Sequence, residues 1–471
     1  VDSLHKWRGR FVGAGAALAG ALAALQQIQD NSALVHIRTG FEITRDWSIP
    51  KTDPYSFTAR GADWTVQSWI PSTLYGLAVR ATNNNGGLLL INLVLCVLIA
   101  LGLSQLARNL PLRESVVAMI GALAVVLTQY SPRPLLFGVL CFVWLAVVVY
   151  RNKRTWLIVP IFWVWANSHG SWPIGVAWLV VICGVALFSE TPLLVRRLRV
   201  LGLAALGVAC AAIGPLGWRV WTFPLISLQK SEIFSQIIEW QAPDWRGQGG
   251  VALGAVCLLL VLMVHQKVTL WHSIVAVGFV AAGLYAARNL IFVPVPVLFA
   301  LACGSSPSVD RSDEVSGLKV PRISEKGFRF GVRAASVLIF LLAGFAVMSN
   351  ALQLKSYPIT EVEALKRANR IGDDNRVMAP DWVGCYLVFQ LGNSANVFID
   401  DRYDMYPLQV ARDYRTIRLG RPGALALLDD YQIETVVWQS KEPFVAQLQL
   451  SDDWEQQPAL AESDWLVFYR R

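Results

Sequence analysis

Eleven apolar runs, none containing an aspartate or glutamate, dominate this sequence: 11–29, 86–107, 115–130, 134–150, 155–168, 170–188, 200–217, 249–265, 270–286, 288–303 and 334–349. Crossing a hydrocarbon layer of about 30 Å takes roughly 17–25 helical residues. Several runs fall near or just below that length, and 155–188 and 270–303 admit re-entrant or broken helices. Without water to satisfy backbone N–H and C=O groups, a single apolar run in a bilayer folds as a helix. Composition agrees: 55% of the 471 residues are hydrophobic and 16% charged, against about 25% charged in a soluble domain. The predicted fold is mainly α, a polytopic helical membrane protein with about eleven transmembrane helices.

Loop charge sets the orientation independently of the exact span limits, because Lys and Arg are retained on the cytoplasmic side. With the N-terminus inside, cytoplasmic segments hold Lys6, Arg8 and Arg10, then Arg108 and Arg113, Arg151, Lys153 and Arg154, Arg196, Arg197 and Arg199, Lys267, and a basic stretch over 311–333. The short outer connections carry only isolated basic groups such as Arg133 and Arg288. The net charge of +8 is therefore assigned to topology and not to nucleic acid. An odd number of crossings puts the C-terminal region outside. A cleaved signal peptide is the competing reading of the N-terminus, against an uncleaved first helix; either leaves the next segment outside.

The expected organisation is a membrane module over 1–349 with outer loops 30–85 and 218–248, followed by an extracytoplasmic α/β domain over 350–471. Within that domain, helices are predicted at 361–370, 383–390 and 424–430, and strands at 377–379, 397–399, 435–438 and 465–469. Six of the seven cysteines lie within or at the end of apolar runs, leaving Cys385 alone in the domain and no outer disulfide pair. No metal-ligand spacing of Cys and His occurs, so no metal site is assigned.

Polar residues at membrane level gather at predicted outer helix ends: Gln129, Arg133, Asn167, His169, Arg288 and Asn289. An ion-coupled transporter places ionisable groups near the midplane. The pattern points instead to a pocket at the outer interface. The first outer loop is the richest segment, with Asp30, His36-x-Arg38-x-Gly40, Ile49-Pro-x-x-Asp53-Pro-Tyr-Ser56 and Trp64-x-x-Gln67-Ser-Trp69, and two helices expected near 32–45 and 65–82.

These motifs, continued by Ser131-Pro-Arg133-Pro, Trp165-Ala-Asn167-Ser-His169-Gly170, Gly214-Pro-Leu-Gly-Trp218, Ile238-Glu239-Trp240, Ala287-Arg288-Asn289 and Val397-Phe-Ile-Asp400-Asp-Arg402, resemble bacterial multi-pass glycosyltransferases of the GT-C type. The resemblance covers nearly the whole chain. It implies transfer of a sugar from a polyprenyl-phosphate donor to an envelope glycan, glycolipid or protein, at the outer face of the bacterial plasma membrane. It further implies a catalytic acid in the loop after the first helix, a position that Asp30 matches. Relatives often carry Asp-x-Asp there. This chain has Ser32 at the second position, which weakens a metal role and favours a lone general base; no cofactor is assigned, and a divalent cation stays open without support from the residues.

Inverting transfer needs a carboxylate to take the acceptor proton and cations to stabilise the leaving phosphate. Asp30 is the first candidate base and Asp53 the second; helix capping competes for Asp30 and a turn for Asp53. Arg288, His169, Arg133, Arg38 and His36 are candidates for the donor phosphate, since a guanidinium grips phosphate with two parallel bonds. For the arginines, snorkelling to lipid headgroups is the competing role. Glu239 and Trp240, with Gln67, Trp69 and Asn167, are candidates for sugar and acceptor. Asp400-Asp401-Arg402 reads either as a paired-carboxylate site or as a salt-bridged loop joining the domain to the membrane module. Two other classes stay open: a lipid or glycan transporter, and a non-catalytic scaffold of envelope assembly.

Overall fold

The computed structural model describes residues 2–82, 85–130, 132–184, 191–234, 240–304, 324–372, 375–458 and 463–471. It is mostly helical with one small sheet near the C-terminus. Its contacts divide it into two compact units that interleave along the sequence. The helical unit comprises Val1–Gln26, Thr82–Gly217 and Ile237–Ala351. The mixed unit comprises Gln27–Ala81, Trp218–Gln236 and Leu352–Arg471.

In the helical unit, among the described residues, each apolar run contains helix, although the first helix stops at Ala23 and not at 29, and that in 200–217 stops at Cys210. The helices are Asp2–Ala23, Gly86–Ala107, Leu112–Thr128, Leu135–Arg151, Ile158–Ala166, Trp172–Gly184, Thr191–Cys210, Gln248–His265, Leu270–Tyr285, Pro294–Gly304 and Glu325–Met348. Among the described residues, four helical segments are long and apolar enough to cross a membrane: Gly86–Ala107, Gln248–His265, Ala287–Gly304 and Glu325–Met348. The third begins with a 3-10 turn, Ala287–Phe292. Large apolar side chains also face outward: Phe340 is 78% exposed and Val264 80%. Large exposed apolar side chains of that kind are tolerated against lipid and costly against water. The fold is that of a membrane protein.

Close helix approach in this unit follows from small residues. A Cβ added at Gly20 would lie 3.0 Å from the Cys96 carbonyl oxygen, where Asp2–Ala23 meets Gly86–Ala107. Ala21, Ala24, Leu93 and Cys96 fill the same seam. Elsewhere Phe142 is the hub of an aromatic cluster, with ring centroids 5.3 Å from Trp178, 5.7 Å from Trp165 and 5.7 Å from Phe279.

The mixed unit is built on two helices and a sheet. Helices Asn31–Asp46 and Trp69–Ala81 cross at Gly40 and Gly76; a Cβ on either would overlap backbone of the other helix. The sheet has β1 (Val377–Met378), β2 (Thr435–Gln439), β3 (Trp454–Gln456) and β4 (Trp465–Arg470), in the order β1-β2-β4-β3. β1 and β2 are parallel, and β4 runs antiparallel to both β2 and β3. Helices Ile359–Arg367, Asp381–Leu391, Leu408–Arg418, Ala424–Asp430 and Pro443–Leu450 complete the segment.

The expected strand at 397–399 is present as single bridges and not as a full strand. Val397 bridges both Val377 and Ser56 in parallel. Its N–H donates to the Tyr55 carbonyl at 3.2 Å, and its carbonyl accepts from Phe57 at 3.1 Å. The segment after Asp53 thereby adds an edge to the C-terminal sheet, satisfying backbone groups that an exposed edge would leave open.

Candidate functional site

Asp30 opens the helix Asn31–Asp46. Its backbone is extended (φ −77°, ψ 118°) and its Oδ1 accepts from the Ser32 N–H at 2.9 Å, the geometry of an N-cap. The residues before it are tied down: Ile28 pairs in parallel with Leu352, and Gln29 Nε2 donates to Gln353 Oε1 at 2.6 Å. The helix then aims Asn31 at the C-terminal segment. Asn31 Nδ2 donates to Asp401 Oδ2 at 3.4 Å and to Cys385 Sγ at 3.6 Å. The Asp401 N–H donates to the same sulfur at 3.4 Å.

A second carboxylate is thus brought into the neighbourhood of Asp30. Tyr357 registers both: burial pushes its hydroxyl up first, and neighbouring Cys385, Asp30 and Asp401 push it further. The Cys385 thiol is likewise raised well above its ordinary value, by burial and then by Asp401 and Asp400. It therefore stays a thiol and acts as a packing and hydrogen-bonding group. Gly384 makes this packing possible, because a Cβ there would overlap the Ile399 carbonyl. Among the described residues, no group of three or more His, Cys, Asp or Glu side chains is arranged to hold a metal ion.

Asp53 sits in a different environment. It is 1% exposed, and its carboxylate accepts from the Tyr55 N–H at 3.1 Å, the Ser56 N–H at 3.0 Å and the Ser56 hydroxyl. This is the turn that Asp-Pro-Tyr-Ser encodes. Arg402 Nη2 reaches Asp53 Oδ1 at 2.8 Å and Asp400 Oδ2 at 2.6 Å, while Arg402 Nε donates to Asp400 Oδ1 at 2.8 Å. The guanidinium also lies 4.7 Å from the Tyr55 ring centre and 4.4 Å from that of Trp64. Burial works against the charge on Arg402; Asp400 and Asp53 more than offset it and raise its pKa well above the ordinary value. Tyr406 donates to Asp400 Oδ2 at 3.0 Å. The Asp-Asp-Arg motif therefore divides its carboxylates: Asp400 is locked in the ion-pair network, and Asp401 faces Asn31.

Arg38 and His36 lie on the same helix as Asn31. Arg38 Nε pairs with Glu42 Oε1 at 3.1 Å, and Tyr55 donates to Glu42 Oε2 at 2.7 Å. Gly392, at φ +60°, lies directly against the Arg38 guanidinium, where any Cβ would collide. His36 Nδ1 is 2.9 Å from Ser72 Oγ. Gln67 is buried, and Trp69 is half-buried at the start of its helix.

The other expected site residues fall in the helical unit. Arg288 meets Trp240, its guanidinium carbon 4.2 Å from the indole centre, beside an Ala287 N–H donating to the Gln241 carbonyl at 2.9 Å. That pairing orients a half-buried cation. His169 Nδ1 accepts from the Ser171 N–H at 3.1 Å, which puts the ring proton on Nε2. Asn167 is fully buried and donates to the Trp163 carbonyl at 3.0 Å and to that of Ala211 at 3.1 Å, closing the end of its helix. Arg133 is half-buried just before Leu135–Arg151, and its carbonyl accepts from Leu136 at 3.0 Å. Glu239 lies outside the described residues.

Asn31 and Tyr357 carry no distinguishing signal in the sequence, Cys385 stands out there only as the lone cysteine of its domain, and Asp401 reads no differently from Asp400. The available signal was alternation: adjacent residues on an extended segment point to opposite sides, so one of the two aspartates turns inward and its neighbour turns away.

No protein-family model matches the chain, and no curated protein matches it by sequence. Solved structures do. The apo form of the Archaeoglobus fulgidus oligosaccharyltransferase is similar with a TM-score of 0.55 at 11% identity, covering 91% of this chain and 70% of that one. The archaeal oligosaccharyltransferase AglB, from the same organism and in complex with an inhibitory peptide and a dolichol-phosphate, matches with a TM-score of 0.55 at 11% identity, over 91% and 69% of the two chains. The likeness is one of fold alone. The chemistry has to come from the residues.

Proposed function

We propose that this protein is a membrane glycosyltransferase that moves a sugar from a polyprenyl-phosphate donor to an envelope glycan, glycolipid or protein on the extracytoplasmic face. The observation that carries the reading is the placement of Asp30. It opens the helix that follows the first apolar helix, in a fold like that of an oligosaccharyltransferase, with Asp401 gathered beside it through Asn31. The presence of a dolichol-phosphate and a peptide on the similar AglB supports a lipid-linked donor and a polymeric acceptor here.

In this scheme Asp30 takes the proton from the acceptor hydroxyl as its oxygen attacks the anomeric carbon. The bond from that carbon to the phosphate oxygen breaks, and polyprenyl phosphate leaves with the electron pair. Arg288, with His169 and Arg133, neutralises the phosphate; a half-buried guanidinium already oriented by Trp240 suits that task. Trp240, Gln67, Trp69 and Glu239 are assigned to sugar and acceptor. Asp53, Arg38, His36 and Asn167 are assigned to holding the frame, since each has a structural partner on its functional atoms.

The membrane arrangement that goes with this reading has eleven crossings of a bacterial plasma membrane, a cytoplasmic N-terminus and the segment 350–471 outside. The test is release of polyprenyl phosphate by the full-length protein in lipid nanodiscs, given a radiolabelled polyprenyl-phosphate sugar and envelope extract. Turnover is expected. No release with any such donor would favour a scaffold that recruits partners.

A further inference from the structure

The mixed unit contains a cavity of about 290 Å³ formed by the segment 63–65, the helix Arg219–Gln229 and the residues around Asp404. None of its lining belongs to the residues assigned above to proton transfer or phosphate. From its shape and lining we infer that this cavity binds one neutral pyranose ring, the reducing or non-reducing unit of a glycan chain.

The volume lies at the small end of ligand sites, which run from roughly 300 to 1,000 Å³. It is large enough for one sugar-sized ring. The charges in the lining cancel: Arg219 and Lys230 face Asp63 and Asp404. A phosphate or an ammonium would find as much repulsion as attraction, so a neutral ligand rich in hydroxyls is favoured.

The individual groups suit hydroxyls as well. Trp218 is 64% exposed, a flat apolar plate at the cavity wall with area to cover. Arg219 Nη2 is 3.5 Å from Asp63 Oδ1, too long for a strong bond, and Asp63 is 80% exposed; both keep hydrogen-bonding capacity. Lys230 donates to the carbonyls of Asp404 at 2.5 Å and Tyr406 at 2.8 Å, which fixes the backbone behind the Asp404 carboxyl. The Asp404 carboxyl lines the cavity beside Thr65 and Met405. Thr222 adds a hydroxyl from the same helix.

Calling the bound sugar part of the acceptor rests on the proposed transferase; binding itself does not. The experiment is saturation-transfer NMR on the full-length protein in nanodiscs, with maltotriose and N,N′-diacetylchitobiose as probes at about 10 mM, a range that captures weak single-ring affinity. Saturation of the ring protons is expected for at least one probe. It should fall about tenfold or more in Trp218→Ala and in Asp404→Asn, and persist in Trp218→Phe, which keeps an aromatic plate. Asp30→Asn should leave it unchanged, which separates failure of the transferase reading from failure of this one. No saturation with either probe, or equal saturation in wild type, Trp218→Ala and Asp404→Asn, overturns the inference.

Discussion

Arg402 holds Asp53 at 2.8 Å and Asp400 at 2.6 Å with the same guanidinium nitrogen, so one buried cation fastens the segment after the first helix to the segment that carries β1–β4. All three side chains are at least nine-tenths buried. Such a cluster is held by mutual compensation: each charge is tolerable only because the others are present.

Removing the cation alone should therefore be costly. Arg402→Met leaves two buried carboxylates without a counter-charge and is expected to destabilise the mixed unit by about 3–5 kcal/mol. Adding Asp53→Asn to Arg402→Met should cost less than the sum of the two single changes, because the partners share one interaction. Urea midpoints of the purified full-length protein check both statements; additive losses would remove the coupling.

The buried hydroxyls give a pH prediction. Tyr55, Tyr403, Tyr406 and Tyr414 have pKa values raised well above the ordinary one, each by burial first and then by a neighbouring carboxylate. In the unfolded chain they ionise near pH 10. Above that pH the unfolded state binds fewer protons than the folded one, so stability falls as pH rises. Each such tyrosine contributes a slope of about 1.4 kcal/mol per pH unit. Denaturant midpoints between about pH 9 and 11.5 should show the fall. Tyr414→Phe should flatten it by one tyrosine's share, whatever it does to the absolute stability through its lost bond to Asp381.

Gly40 and Gly76 set the distance between the two helices that frame the first segment. Gly40→Ala drives a methyl group into the Ser72 carbonyl and should destabilise by about 1–3 kcal/mol or more. Gly254 has nothing within 4 Å of its would-be Cβ, so Gly254→Ala should change stability by no more than about 1 kcal/mol. Thermal unfolding of the two variants side by side makes the comparison.

For Arg288 the expected effect is on the donor. Arg288→Ala should raise the donor KM about tenfold or more, the loss of a charge-assisted pair. Arg288→Lys should recover only part of it, because an ammonium lacks the planar fork and stacks less well on Trp240. An unchanged donor KM in Arg288→Ala would assign this residue to membrane anchoring.

The helical unit was legible because apolar runs without carboxylates have one physical outcome in a bilayer. Gly86–Ala107 matches the expected span at both ends, whereas Glu325–Met348 begins nine residues before 334, since Ser324 caps it through the Gly327 N–H. The sheet was legible at 435–438 and 465–469, where β-branched and aromatic residues cluster, but not at Trp454–Gln456, whose polar composition hides an edge strand. Helix Leu408–Arg418 went unread because its charged face interrupts the apolar signal that buries Val410, Tyr414 and Ile417. At the site, Asp30 was legible by position. Asp401 was not, because only the tertiary contact through Asn31 separates it from Asp400. The gathering of 27–81 and 218–236 with 352–471 likewise depends on pairings between distant segments, such as Ser56 with Val397.

Asp30→Asn tests the central claim most directly, because asparagine caps a helix about as well as aspartate and leaves the Ser32 N–H a partner. The variant should unfold at the wild-type denaturant midpoint while its single-turnover transfer from a polyprenyl-phosphate sugar falls by about 100-fold or more. Transfer at the wild-type rate in a normally folded variant would contradict the account and reduce Asp30 to a helix cap.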